Sequence, residues 1–73
     1  MTGPGGVTWF YRPDGSPALY QQGKYLYDAS TADCLYWQEG DWWLRLSDSA
    51  VAFWVHEKWV YTPDGVDMAY YRT

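Results

Sequence analysis

The residue types that most often carry out chemistry are scarce in this sequence. His56 is its single histidine and Cys34 its single cysteine. A catalytic histidine needs a nucleophile or an orienting carboxylate held beside it, and a sequence neighbour at a turn, such as Glu57, rarely supplies one. One cysteine and one histidine also fall short of the four ligands of a structural zinc site. The sequence therefore predicts no catalytic histidine, no metal site and no cofactor.

The carboxylates have a structural explanation at two matching places. Asp14 and Asp64 both lie in the tripeptide Pro-Asp-Gly, where an aspartate side chain hydrogen-bonds the backbone of a turn. Glycoside hydrolysis needs two carboxyl groups about 5–9.5 Å apart in different environments, and nothing in the sequence indicates such a pair. There is no glycine-rich loop suited to a phosphate either. We expect the protein not to be an enzyme.

Aromatic side chains are unusually abundant in this chain, with six Trp, eight Tyr and two Phe among 73 residues. A single domain of this length buries only about 60% of the surface that its unfolded chain exposes. Some of the rings must therefore remain partly exposed, where they can stack on a sugar or surround a quaternary ammonium group. The alternative is that these rings simply pack between neighbouring elements. The candidate ligand-binding residues are Trp9, Tyr25, Trp37, Trp42, Trp54, Trp59 and Tyr71.

The aromatic residues recur because the chain repeats itself. Breaks at Val7, Gly23, Gly40 and Glu57 divide it into one unit of sixteen residues and three of seventeen, which align without an internal gap. The preceding residues 1–6 are predicted to be a flexible lead-in to a single domain over residues 7–73. Three columns of the alignment are nearly all aromatic. Position 3 reads Trp9, Tyr25, Trp42, Trp59; position 5 reads Tyr11, Tyr27, Leu44, Tyr61; position 14 reads Tyr20, Tyr36, Phe53, Tyr70.

Each unit is predicted to be a β-hairpin. Pro-Asp-Gly favours a three-residue loop that combines a type I turn with a glycine bulge, and the flanks are rich in Trp, Tyr, Val and Leu. This loop would place Arg12 opposite Ser16, Phe10 opposite Ala18 and Trp9 opposite Leu19. Positions 3, 5, 13 and 15 would share the outer face, and a two-residue loop would exchange the faces. The predicted core holds positions 4, 12 and 14: Phe10, Ala18, Tyr20, Leu26, Cys34, Tyr36, Trp43, Val51, Phe53, Val60, Met68 and Tyr70.

Short links between the units keep neighbouring hairpins adjacent in space. Closure of the sheet would remove its exposed edges. The sequence therefore predicts an all-β fold of four tandem hairpins in a pseudo-fourfold arrangement, a small closed ring or barrel of about eight strands. A short open solenoid is the alternative, and it would need capping or dimerisation.

The last unit, "EKWVYTPDGVDMAYY", resembles the choline-binding repeat of cell-wall-binding proteins. The matching residues are Lys58, Trp59, Tyr61, Gly65, Met68 and Ala69. The first unit, "TWFYRPDGSPALYQQGK", is similar to variant MORN repeats, with Trp-x-Tyr, a turn glycine and a following Gly-Lys. The resemblance implies a hairpin for each unit and a quaternary-ammonium ligand for its rings. The present units are shorter than choline-binding repeats and lack the Gly-Trp that follows the methionine.

Charge and cysteine content narrow the range of partners. The net charge of −4 disfavours duplex nucleic acid and anionic membranes, and the five basic residues are too scattered to form a track for single strands. No apolar stretch approaches a membrane span and the start does not resemble a signal peptide. With a single cysteine, we expect a cytoplasmic location. The expected function is binding of a small carbohydrate-like or cationic ligand. The alternative is homo-oligomeric assembly or protein interaction, which would bury the same exposed rings.

Overall fold

The computed structural model describes residues 7–73, so the lead-in predicted for residues 1–6 lies outside the described part of the chain. The described chain forms eight antiparallel strands, each paired with the next, and the last strand pairs with the first. This closed barrel confirms the predicted all-β fold of four hairpins and rules out the open solenoid. The strands are β1 (Thr8–Tyr11), β2 (Pro17–Gln22), β3 (Tyr25–Asp28), β4 (Cys34–Glu39), β5 (Trp42–Arg45), β6 (Val51–His56), β7 (Trp59–Tyr61) and β8 (Met68–Tyr71). Residues 7–73 contain no helix long and apolar enough to cross a membrane.

The loop of the first hairpin has the predicted form. The Arg12 N–H donates to the Ser16 carbonyl at 2.8 Å, and the Gly15 N–H donates to the Arg12 carbonyl at 2.8 Å. Gly15 has a φ of 91°, which glycine adopts without steric cost. The Asp14 carboxylate accepts the Ser16 N–H at 2.9 Å, as expected of an aspartate in this turn. The sequence thus encodes this loop locally.

The other three hairpin loops are one residue longer, which corrects the repeat alignment. Their closing bonds join Asp28 to Asp33, Arg45 to Ala50 and Thr62 to Asp67, so each loop holds four residues. The sixteen-residue unit is therefore short within its loop, and not at its end. The alignment without a gap is wrong by one residue after that loop. With the gap placed there, Tyr20 matches Trp37, Trp54 and Tyr71.

A β-bulge in each hairpin changes the predicted pairing. Phe10 lies opposite Leu19 and Tyr11 opposite Pro17, so Ala18 is the extra residue on its strand. The pairings predicted for Phe10 with Ala18 and Trp9 with Leu19 are therefore wrong. The other three hairpins have the same shift, with Leu35, Ala52 and Ala69 as the extra residues. A bulge adds twist, which suits a barrel of short strands.

The barrel interior is filled by the residues at position 4 of each unit, as predicted. Phe10, Leu26, Trp43 and Val60 are all buried. The Trp43 ring has no exposed surface and lies at the centre of the core. Its ring neighbours, with their centroid distances, are Phe10 (4.8 Å), Phe53 (6.1 Å), Tyr36 (6.3 Å) and Tyr70 (6.5 Å).

Trp43 also satisfies its one polar group inside the barrel. Its indole N–H donates to Gln38 Oε1 at 3.2 Å. The Gln21 amide donates to the same oxygen at 2.7 Å. No buried side-chain nitrogen or oxygen within residues 7–73 lacks a hydrogen-bond partner.

Four other predicted core residues lie elsewhere. Tyr20 is on the outer face, because the alignment without a gap assigned it to the wrong column. Cys34, Val51 and Met68 lie opposite outward-facing residues, because each precedes the bulge. Cys34 and Met68 are half-buried and Val51 is 46% exposed. Ala18 is buried as predicted, although as the bulge residue.

The bulge also brings inward residues that the prediction placed outside. Leu19 lies opposite Phe10 and is buried, and Leu35, the bulge residue of the second hairpin, packs against the core. Val55, at a position that the sequence analysis assigned to neither face, packs against the core as well. Tyr36, Phe53 and Tyr70 pack there as predicted.

Two-residue turns join successive hairpins, so neighbours in sequence are neighbours in the barrel. The first turn residues are Gly23, Gly40 and Glu57, with φ values of 64°, 60° and 56°. A positive φ at the first central residue alone is typical of a type II′ turn, which prefers glycine there. Glu57 therefore occupies a backbone conformation that disfavours its side chain.

Candidate ligand-binding surface

The outer face of each hairpin carries two aromatic residues directly opposite each other. One comes from each strand, and both point outward because the intervening position 4 points into the core. The four pairs are Trp9 with Tyr20, Tyr25 with Trp37, Trp42 with Trp54, and Trp59 with Tyr71. The seven predicted site residues therefore all lie on the outer face. The eighth residue of these pairs is Tyr20, which the sequence analysis assigned to the core. An alignment with a gap in the first hairpin loop would have matched it to Trp37, Trp54 and Tyr71 and so placed it on the outer face.

At three junctions between hairpins, a ring of one pair packs against a ring of the neighbouring hairpin. Tyr20 stacks on Tyr27 with centroids 5.2 Å apart and 16° between the ring planes. The Trp54 and Tyr61 centroids are 5.4 Å apart. Tyr71 and Tyr11 join the last hairpin to the first at 5.7 Å. These contacts cover one face of each ring and reduce what it can offer to a ligand.

The fourth junction lacks this cover. Trp37 lies opposite Leu44, where the other hairpins have tyrosine. A cleft of about 310 Å³ opens here, and we call it the Tyr25–Trp37 cleft. Tyr25 is 38% exposed and Trp37 is partly buried. The lining residues are Lys24, Tyr25, Trp37, Leu46 and Ser49.

Lys24 places a positive charge beside both rings of the cleft. Its Nζ lies 5.6 Å from the Tyr25 centroid and 6.0 Å from the Trp37 centroid. Both distances are within the range of cation–π attraction. Lys58 is the matching residue of the last hairpin, with Nζ 5.3 Å from the Trp59 centroid. There, however, Tyr71 lies beside Trp59 at 6.1 Å and is itself covered by Tyr11.

A second, larger groove of about 450 Å³ shares Leu46 with the cleft. Its charged lining residue, Arg45, is already bound to Asp48 with an N–O distance of 2.6 Å. Its other lining residues are Cys34, Leu35, Tyr36 and Ser47. The larger groove therefore offers mainly apolar surface and no free charge, whereas the Tyr25–Trp37 cleft offers exposed ring faces and an ammonium group.

The remaining predicted site residues do not join this cleft. Trp9 and Trp42 are each 42% exposed on their own hairpins. Trp54 lies between Tyr61 and the ring of His56, which stacks on it at 5.5 Å. The seven candidates are therefore spread around the barrel. Of the seven, Tyr25 and Trp37 are the two that line the Tyr25–Trp37 cleft together.

The hairpin-loop aspartates act as turn residues. Ser30 donates both its hydroxyl and its backbone N–H to the Asp28 carboxylate, at 2.7 and 2.8 Å. These hydrogen bonds lower the pKa of Asp28 from 3.8 to about 2. Hydrogen bonds from nearby residues likewise lower the pKa values of Asp14, Asp48 and Asp64. Within residues 7–73, no group of three or more His, Cys, Asp or Glu residues is placed to hold a metal ion.

Comparison with known proteins identifies no relative of this chain. No protein-family model matches the chain, and no match was found among curated proteins or solved structures. The function must therefore be argued from the surface itself.

Proposed function

We propose that this protein is a non-enzymatic binding module for a carbohydrate-like ligand, and that the Tyr25–Trp37 cleft is its binding site. The observation that carries the proposal is Leu44, which leaves Trp37 without the aromatic cover found at the other three junctions. The pseudo-fourfold arrangement of hairpins supplies four versions of one aromatic pair. Within residues 7–73, Trp37 is the one ring of these pairs at a junction that no aromatic residue of the next hairpin covers, and it provides an open site.

The lining suits a sugar ring. Tyr25 and Trp37 offer apolar ring faces with polar edges, which pack against the C–H face of a pyranose. The Ser49 hydroxyl can donate and accept hydrogen bonds, and Leu46 adds apolar surface. The cleft volume of about 310 Å³ lies at the small end of ligand sites, which span about 300–1,000 Å³. A ligand of one or two sugar rings fits this size.

The same lining disfavours a quaternary ammonium ligand. Such a ligand would have to share the two rings with the Lys24 ammonium, which lies within 6.0 Å of both centroids. Like charges this close repel each other. Of the two ligand classes expected from the sequence, the structure therefore supports the carbohydrate over the choline-type ligand implied by the repeat resemblance.

A titration of soluble oligosaccharides, followed by tryptophan fluorescence, tests the proposal. We expect Trp37→Ala to weaken binding at least about tenfold, because a central aromatic contact often contributes more than 1–2 kcal/mol. Trp9→Ala is the matched control, because Trp9 is also an exposed outer ring but lies beside Tyr20 at 5.2 Å. Equal losses in both variants, or no saturable binding by any neutral or acidic sugar, would refute the proposed site.

The third hairpin favours a second candidate function, self-association. Its outer face carries Trp42 opposite Trp54 and Leu44 opposite Val51, and both Trp42 and Val51 are more than 40% exposed. Exposed apolar patches of this kind mark interfaces. Light scattering over a concentration range would show a multiple of 8.5 kDa that Trp42→Lys reduces. A concentration-independent monomer would exclude this candidate.

A further inference from the structure

We propose that the cleft prefers an acidic sugar, such as a uronic acid, over its neutral counterpart. This inference rests on the proposed carbohydrate function and adds the chemical class of the ligand. It arises from Lys24, because a ligand stacked on Tyr25 or Trp37 would lie beside the lysine ammonium.

Lys24 is the charged residue among the five that line the cleft. Its Nζ lies over both rings, 5.6 Å from the Tyr25 centroid and 6.0 Å from the Trp37 centroid. A sugar that packs against Tyr25 or Trp37 would therefore have the Lys24 ammonium beside its polar substituents. A carboxylate at such an edge would gain a charge-assisted hydrogen bond.

The ammonium of Lys24 has no carboxylate partner within residues 7–73. The ion pair found in this part of the chain joins Arg45 to Asp48. That pair also neutralises Asp48, which immediately precedes the lining residue Ser49. The Asp48 carboxylate is therefore already paired, and Lys24 remains able to bind an anion.

The net charge of the chain does not oppose this ligand at the Lys24 end of the barrel. The hairpin loops carry six aspartates against two arginines, whereas the opposite end carries three acids against three bases. The charges at that opposite end are Lys24, Glu39, Asp41, Glu57, Lys58 and Arg72. The excess negative charge thus lies with the loops, and the loop that supplies Leu46 and Ser49 to the cleft has its aspartate, Asp48, paired with Arg45.

Three matched sugars test the inference: an α-1,4-linked galacturonic acid trimer, its uncharged methyl ester and the corresponding galactose trimer. We expect the acidic trimer to bind about three- to fivefold more tightly than the two neutral ones, which is the upper end of the range for an exposed ion pair. The preference should shrink as salt is added. Lys24→Gln should remove the preference, so that the acidic and neutral trimers bind this variant with equal affinity.

Lys58→Gln is the control, since Lys58 lies over Trp59 in the same way but in a hairpin whose rings are covered. It should leave the preference intact. Equal affinities for the acidic and neutral trimers, or a preference that survives Lys24→Gln, would overturn the inference but leave the carbohydrate function standing. If none of the three trimers and no other neutral sugar binds, the proposed function falls together with the inference.

Discussion

At the residue scale, two adjacent tryptophans show how strongly a position in the barrel decides a role. Trp42 and Trp43 are neighbours in β5, yet Trp42 is 42% exposed and Trp43 has no exposed surface. The alternation of a strand points them in opposite directions. Trp43 packs with four other rings and donates its N–H to Gln38, so it organises the core, whereas Trp42 belongs to the outer face.

Alanine substitution should separate the two tryptophans. We expect Trp43→Ala to lower the free energy of unfolding by about 3–5 kcal/mol, which is enough to unfold a small domain. Trp42→Ala should cost clearly less, because 42% of Trp42 is exposed and the substitution leaves no cavity inside the core. Urea denaturation measures both values. A similar loss in the two variants would contradict the assignment of Trp43 to the centre of the barrel.

At the scale of the element, the hairpin and its turn were predictable, but the bulge was not. Pro-Asp-Gly specifies its own loop through local sterics and the Asp14 side chain. The residues at position 4 alternate with outward rings in the same strand, so their burial followed from pattern. The bulge residues, such as Ala18 and Leu35, are not marked by a particular residue type or spacing. The twist of the whole barrel accommodates the extra residue, so no local pattern in the sequence predicts it.

The loop-length difference explains most of the remaining errors. Unit length shows that one residue is missing from the first repeat, but an alignment without gaps cannot place it. In that alignment Tyr20 matched Tyr36 by chance. The true counterpart of Tyr36 in the first hairpin is Leu19, since each lies opposite the position 4 residue of its own hairpin. The cleft was not predictable for a related reason. Its lining residues come from two hairpins, with Leu46 and Ser49 from the loop of the third, and the contact between neighbouring hairpins is a property of the closed sheet.

The turn between the third and fourth hairpins contains a strained residue that can be relieved. Glu57→Gly should raise the free energy of unfolding by about 0.5–1 kcal/mol, because Glu57 has a φ of 56° and a left-handed conformation costs about 1–2 kcal/mol for most residues. Part of this gain is offset by the greater entropy of glycine in the unfolded chain. Lys58→Gly in the same turn lacks the relief and should lower stability. Thermal unfolding distinguishes them, and a destabilised Glu57→Gly would disprove the strain.

The aspartates of the hairpin loops should make the free energy of unfolding depend on pH in the acidic range. A folded-state pKa of Asp28 lowered to about 2 from 3.8 means that its contribution is present above its ordinary pKa. It is lost as pH falls from 3.8 towards about 2. Asp14, Asp48 and Asp64 act in the same direction. Denaturation at several pH values should show this decline, and Asp28→Asn should make it shallower. An unchanged slope in the variant would argue against the Ser30 hydrogen bonds.

At the scale of the whole molecule, closure depends on a narrow seam. The first and last strands pair at one point, Tyr11 opposite Tyr71, whereas most neighbouring strands pair over three or four positions. The Tyr71 ring compensates by contacting two others, Tyr11 at 5.7 Å and Trp59 at 6.1 Å. Aromatic packing therefore supports the seam that few backbone pairs can hold.

Removal of this ring should weaken the entire barrel. Tyr71→Ala loses two ring contacts of about 0.5–1.5 kcal/mol each, so we expect a loss of about 1–3 kcal/mol in the free energy of unfolding. Tyr25→Ala removes another outer-face tyrosine, which is more exposed and lies away from the seam, and should cost less. Urea denaturation gives the values, and hydrogen exchange should be faster at the β1 amides in Tyr71→Ala alone. Equal effects in both variants would show that the seam does not depend on Tyr71.

The central claim, that this barrel binds a sugar at one uncovered aromatic pair, is tested most directly by nuclear magnetic resonance. The indole N–H signals of the six tryptophans can be followed separately during titration with the galacturonic acid trimer. The account predicts that Trp37 and the amides of Lys24 and Tyr25 shift together and saturate, while the buried Trp43 does not move. Shifts confined to Trp9 or Trp42, or none at all with acidic and neutral sugars alike, would contradict it.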